Sequence, residues 1–315
     1  MAGSSFSRLL AAAMSAAISF ALFGAAPARA ADREVVIAYQ DMVLPWRYAQ
    51  ATGEVERATG YKVTYRQLAS GADVVRAIAS GSVQIGEAGS SPIAAGVSQG
   101  VDLSLFWILD NINDAEALVA RNGSGVSRVA DLKGKTLGVP YVSTSHFHAL
   151  VALQQAGLEP RDVKVVNLRP QELSAAWDRG DVDAAFIWDP VLAKVKKNGT
   201  VLTTSGKIAA ATGKSTFDGL VADRKFARDH AEFIAKFVEV LAKADAAYRD
   251  NKAAWTATSR RWQPWPRRRA RRRRMFRQVL RCMPSRMRRS RLPSAGWAAA
   301  RSRARRNRCW PRRNS

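Results

Sequence analysis

The sequence predicts an α/β fold of two similar lobes with a ligand cleft between them. Short β-rich runs alternate with helical stretches, the pattern of mostly parallel strands, and that alternation starts afresh near residue 117. The chain would cross between the lobes near 112–117 and again near 205–218. In the first lobe, 35–39 reads as a strand, and a helical stretch over 46–59 stops at Gly60. A second strand follows over 62–68, then a helix over 71–80 and a strand over 83–85. A helix over 92–99 carries Pro92 in its first turn, where a missing N–H costs nothing, and a strand covers 103–109. The second lobe opens at 117–121, with strands expected over 136–139, 163–168 and 184–187 and helices over 145–156, 170–179 and 190–197. The last pieces are a strand over 219–222 and one long amphipathic helix over 224–250. Phe226, Phe233, Ile234, Phe237, Val238, Leu241 and Ala244 keep helical spacing along it.

Charge separates this body from the ends of the chain. The 315 residues hold 50 Lys and Arg against 26 Asp and Glu, yet residues 32–258 net zero, and 22 Arg without any Lys, Asp or Glu lie in 259–315. A basic surface over the whole protein is therefore excluded. Both cysteines, Cys282 and Cys309, fall in the Arg-rich stretch, so the body is not a disulfide scaffold. At the other end, Arg8, a small and apolar run from Leu9 to Ala26, and Ala28-Arg29-Ala30 read as a secretory signal over 1–30, which predicts export to the periplasm. The like-charge block at 259–315 cannot bury a core and is expected to be a disordered tail. A polyanion-binding arm, a shifted reading frame and an unusual structured terminus compete as explanations of it. Its Arg, Pro, Ala, Ser and Trp composition without acids favours the shifted frame and leaves only non-specific contact with nucleic acid.

No catalytic motif is present: there is no phosphate-cradling Gly-rich loop with Lys, no Cys pair with metal spacing and no Gly-x-Ser-x-Gly, so no catalytic residue, metal ligand or cofactor is predicted. His146 and His148 stand two apart in a helix, which points them to different faces, and surface or packing roles fit them best. Two hydroxyl-rich segments precede helices at equivalent places in the two lobes: Gly89-Ser90-Ser91-Pro92 and Ser143-Thr144-Ser145. Free backbone N–H groups and hydroxyls at a helix start suit an anion, with a plain N-cap by Ser91 as the equally weighted alternative. For the opposite charge, Glu116, Asp189 and Asp218 sit beside strand ends or crossings, where a carboxylate can face an ammonium. Trp188 adjoins Asp189 and can pack on a ligand. Asp73 and Arg76 pair at i,i+3 on the helix after Ser70.

Taken together, several runs resemble a known family. They are Ile37-Ala-Tyr-Gln40, residues 70–86 beginning Ser70-Gly-Ala-Asp-Val-Val-Arg, Gly89-Ser-Ser-Pro92, Glu116-Ala-Leu-Val119 and Val139-Pro-Tyr-Val-Ser-Thr-Ser-His146. Val166-Asn-Leu-Arg-Pro170, residues 175–183 and Ile187-Trp-Asp-Pro190 extend the match, which runs in order over about residues 34–255. They resemble the periplasmic solute-binding proteins of the taurine, aliphatic-sulfonate and nitrate ABC importers. The resemblance implies a two-lobed, type II-like periplasmic binding protein, monomeric and not an enzyme. Such a protein closes over taurine or another small sulfonate and delivers it to a membrane permease and its ATPase. By position, Ser90, Ser91, Ser143, Thr144 and Ser145 look like the sulfonate-facing donors, with Gln40 at the rim. Glu116 and Asp218 look like ammonium partners, and Trp188 like a cleft wall. A zwitterion needs such an arrangement, neutral donors at one end and a carboxylate at the other. The implied division is lobe 1 over 31–115, lobe 2 over 116–210 and a return to lobe 1 over 211–258. Two departures stand out: Asp189, where the family commonly has a small neutral residue, and the Arg-rich stretch in place of further helices.

Overall fold

The structure, a computed structural model, describes residues 33–251, so the expected signal segment and the Arg-rich tail lie outside the described residues. Two five-stranded sheets organise the chain. The first contains β1 (Glu34–Tyr39), β2 (Lys62–Gln67), β3 (Ile85–Gly89), β4 (Leu103–Asn111) and β10 (Phe217–Asp223), in the order β2-β1-β3-β10-β4. The second contains β5 (Glu116–Arg121), β6 (Thr136–Val139), β7 (Lys164–Asn167), β8 (Ala184–Trp188) and β9 (Gly199–Thr204), in the order β7-β6-β8-β5-β9. The two orders are the same plan executed twice.

The inner strands of each sheet bury side chains on both faces, since residues alternate sides along a strand. In β1, Val35 and Ile37 face one core with Trp46, Phe233 and Phe237, while Ala38 faces another with Val74 and Ile78. In β8, Ala184 and Phe186 face Leu137 and Leu153, whereas Ala185 and Ile187 face Leu173 and Trp177. Helices supply those covers: α1 (Trp46–Thr52), α2 (Glu54–Thr59), α3 (Gly71–Ala79) and α4 (Ser90–Ser98) in the first lobe, then α5 (Thr144–Gln155), α6 (Pro170–Arg179), α7 (Val191–Val195) and α8 (Ser205–Thr212). Two more, α9 (Arg224–Asp229) and α10 (Ala231–Asp250), follow β10.

In each sheet four strands share one direction, as the expectation of mostly parallel strands requires, and the fifth is reversed: β10 runs against β3 and β4, and β5 runs against β8 and β9. Those are the two strands reached by crossing from the other lobe, and each is inserted at the same place in its new sheet. Three expectations change. The strand expected over 83–85 lies at Ile85–Gly89, where glycines disguise it. A Cβ on Gly86 would come within 2.2 Å of Val74 Cγ1, so the close approach of α3 requires the glycine. The helix expected over 46–59 breaks at Gly53, whose φ of 68° is left-handed, and the one over 224–250 breaks at His230. Pro92 is the third residue of α4, still among the four positions whose N–H has no partner in the helix. Finally, β9 and α8 were not expected at all.

Two crossings join the lobes. One is the single 3-10 turn Asn113–Ala115 between β4 and β5; the other runs from β9 through α8 to β10. They touch: Thr204 Oγ1 donates to Asp114 Oδ1 at 2.5 Å, and a Cβ on Gly206 would fall 1.8 Å from Asn113 Oδ1. At the far side of the cleft Gly89 meets Thr144, where a Cβ would lie 2.7 Å from Thr144 Cγ2.

Candidate functional site

A cavity of about 130 Å³ lies between the sheets, roughly ten times the space one water needs. The first sheet contributes Gln40, Gly89, Asp110 and Asp218; the second contributes Glu116, Ser143, Thr144 and Trp188. These are strand ends and helix starts, the place where the topology of open α/β sheets leaves a crevice. Among the described residues no basic side chain lines it, while four carboxylates do: Asp110, Glu116, Asp189 and Asp218.

The carboxylates differ in what they touch. Glu116 is 3% exposed and both its oxygens are occupied, Oε1 by the Thr144 hydroxyl at 2.6 Å and Oε2 by the Ser205 hydroxyl at 3.0 Å. Burial pushes its carboxyl up to about 7, against the pull of the Thr144, Ser145 and Ser205 hydroxyls and with a push from Asp110. Asp218 is 5% exposed, and among the described residues no hydrogen bond reaches its carboxylate. Burial, then the charges of Asp110, Glu116 and Glu87, hold it well above the usual carboxylate range. Asp110, raised chiefly by burial, accepts the Asp218 backbone N–H at 3.2 Å. Asp189 is exposed and accepts from Ala193 N at 2.8 Å, which ties it to the start of α7.

The hydroxyls divide the same way. Ser143 is the N-cap of α5: its Oγ accepts from His146 N at 3.0 Å and donates to Pro140 O at 2.6 Å. Thr144 donates to Glu116, and Ser145 is fully buried behind it, outside the cavity lining and with no hydrogen-bond partner for its hydroxyl among the described residues. At α4 the N-cap is Gly89, with no side-chain cap, so Ser91 is not the cap. Ser90 Oγ accepts from Phe217 N at 3.4 Å, leaving its own proton free. Ser90 and Ser91 stand beside Gly89 but outside the lining, whereas Gln40, Glu116, Ser143, Thr144, Trp188 and Asp218 meet around one space.

Sequence reasoning missed three participants. Asp110 sits near the end of β4, where a carboxylate gives no pattern; Ser205 opens a helix that was not expected; Glu87 lies in a strand disguised by glycine. The histidines are structural. His148 is buried with Nε2 at 2.8 Å from Lys214 O, His146 stacks on Tyr141, and His230 pairs with the Tyr61 hydroxyl at 2.8 Å. Asp73 accepts from Arg76 on its own helix and from Arg169 Nη2 of the second lobe at 3.2 Å. This pair lies at a second opening between the lobes, lined also by Ser70, Tyr141 and Asn167.

Comparison with known proteins places this geometry in context. Residues 57–254 match the family model described as NMT1/THI5 like. The chain is 39% identical over 221 residues to the taurine-binding periplasmic protein of Escherichia coli strain K12, an alignment covering 70% of this chain and 68% of that one. It spans 64% of two further curated relatives, so its match reaches about two thirds of their length. Among solved structures, the alkanesulfonate-binding protein SsuA from Xanthomonas axonopodis pv. citri, bound to MOPS, superposes with a TM-score of 0.63 at 25% identity, covering 71% of this chain and 76% of that one. The periplasmic aliphatic sulphonate binding protein SsuA from Escherichia coli gives a TM-score of 0.58 at 27% identity, with the same coverage.

Proposed function

This chain belongs to the NMT1/THI5-like family, and from that premise we propose that it is the periplasmic solute-binding component of an ABC importer, capturing taurine or a related alkanesulfonate. The relatives named for taurine and alkanesulfonates support the ligand class. The observation that carries the choice of an amino-sulfonate is Asp218: a carboxylate 5% exposed, lining the cavity and without a hydrogen-bond donor among the described residues. Burial and the neighbouring acids disfavour its ionised form until a cation arrives, and an ammonium supplies both the charge and the donors that let it ionise. The sulfonate end then lies against the starts of α4 and α5, where Gly89, Ser143 and Thr144 line the space and Ser90 and Ser91 stand close by. Trp188 forms the wall beside Asp189.

In this mechanism the chain binds and does not transform. The ligand bridges the two lobes, donors from one helix start and acceptors from both sheets contact it together, and the closed form is the one presented to a membrane permease and its ATPase. Calorimetric titration of the full chain with taurine and with ethanesulfonate tests the reading. Saturable one-to-one binding of taurine, with ethanesulfonate weaker by about tenfold or more, is expected. Heat signals no larger than dilution for both ligands would remove it.

A further inference from the structure

Glu87 is fully buried in the middle of β3, behind the cavity and outside its lining. Its Oε1 accepts the Gln40 backbone N–H at 2.7 Å and its Oε2 accepts the Trp46 indole N–H at 2.8 Å. Its carbonyl oxygen also accepts the Gln40 side chain at 3.3 Å. Gln40 and Trp46 are the two ends of the segment 40–46, whose middle residues Met42, Val43 and Leu44 line the ligand cavity together with Gln40. One carboxylate therefore holds both ends of a cleft wall. Within that wall Leu44 is buried in the core, whereas Val43 is 60% exposed.

We propose that Glu87 is a positioning residue of the cleft: ionised, it clamps Gln40 and Trp46 and fixes the 40–46 wall; protonated, it releases one end, so that ligand capture depends on pH. An apolar residue of similar size would leave the Gln40 and Trp46 N–H groups unpaired, so this place needs acceptors, and a carboxylate supplies two oxygens at the cost of desolvating a charge. The charge is the feature that needs explanation. Three charged groups face it. Arg47 of α1, stacked 3.6 Å above the Tyr39 ring, favours the ionised form, whereas Asp110 of β4 opposes it and Asp218 of β10 repels it. Burial dominates and pushes the Glu87 carboxyl up to about 7, so the two forms exchange near neutrality. A protonated carboxyl turns one of its two acceptor oxygens into a donor, and two N–H groups then compete for the other.

The proposal rests on the cavity being the ligand site, so its test has a readout that needs no ligand. In the full chain, the indole N–H resonance of Trp46, assigned by its loss in Trp46→Phe, is followed from about pH 5.5 to about pH 8.5 in wild type and Glu87→Gln. The expected result is one titration near neutrality in wild type and none in Glu87→Gln. Taurine titrations of the same proteins should show Glu87→Gln weaker by about tenfold at about pH 8, with a flatter pH profile. Trp46→Phe, which keeps the charge, should lose less affinity and retain the profile. A flat indole resonance in wild type, or a Glu87→Gln protein with wild-type affinity and pH profile, would overturn the clamp. If Glu87→Gln does not fold, the wild-type titration and Trp46→Phe still decide. A titrating indole in a protein that never binds taurine would uphold the clamp and reject the ligand.

Discussion

The two halves of the cleft are built to one plan and finished to different degrees. On the second lobe, Glu116 has a hydroxyl on each oxygen, Ser143 caps its helix, and Thr144 donates to the carboxylate. On the first lobe, Asp218 has no donor among the described residues, Ser90 keeps its proton free, and α4 begins without a side-chain cap. Similar residues at equivalent helix starts thus differ in availability, because a neighbouring acid has already claimed one set of hydroxyls. The second lobe is a completed wall; the first is the half that a ligand completes.

The sharpest way to break this contrast is to neutralise the two acids separately. Asp218→Asn should weaken taurine binding by about a hundredfold, since a charge-assisted contact is worth about 1.5–3 kcal/mol, while raising the melting temperature of the ligand-free chain. Calorimetry and thermal melts check both signs, and a variant that binds normally would show that Asp218 faces nothing. Second in size is the effect of pH. Glu87 and Glu116 are both raised from 4.5 to about 7, so the folded state binds more protons than the unfolded one across that interval. Ligand-free stability should accordingly fall by a few kcal/mol as pH climbs from 4.5 to about 7, as read by urea unfolding across the interval. Taurine, by pairing with ionised acids, should stabilise the protein more at about pH 8 than at about pH 5. A stability that rises over the same interval would contradict burial as the dominant cause of the shifts.

Glu116→Gln comes next. Its amide would set a donor against the Thr144 or Ser205 hydroxyl, costing about 1–3 kcal/mol of stability and less affinity than Asp218→Asn. At the helix starts the contrast should reverse: Ser143→Ala should cost about 1 kcal/mol of stability through the lost cap with little change in binding. Ser91→Ala should leave stability within about 0.5 kcal/mol and weaken the sulfonate end by a few-fold. Equal behaviour of the two serines would erase the difference between the lobes. Smallest of all, Arg169→Ala removes an exposed contact to Asp73 worth about 0–1 kcal/mol.

Much of the fold is legible in the sequence because period and punctuation coincide: Gly60 ends a helix, and the strands read over 62–68 and 136–139 stand at Lys62–Gln67 and Thr136–Val139. What escapes is what depends on partners far along the chain. The direction of β10 and β5 follows from the crossing geometry, which no local period encodes. The strand at Ile85–Gly89 needs its glycines because of Val74 and Thr144, which are remote in sequence. Within the site, Glu116, Trp188 and Asp218 stood out by position and type and Gln40 through the family resemblance, and all four line one space. Ser145 is buried away from that space, which the residues beside it do not reveal, and Asp110 had no motif to announce it.

The touching of the two crossings has a consequence for signalling. The adjoining linkers are tied by Thr204 to Asp114 and by Gly206 seated on Asn113, which makes them a natural two-segment hinge. Hinge closure of that kind would leave the lobes essentially two arrangements, open or shut. Under the proposed function, a downstream receptor needs no chemical view of the occupant. It reads one bit of shape, and the identity of the cargo is settled before that bit is written.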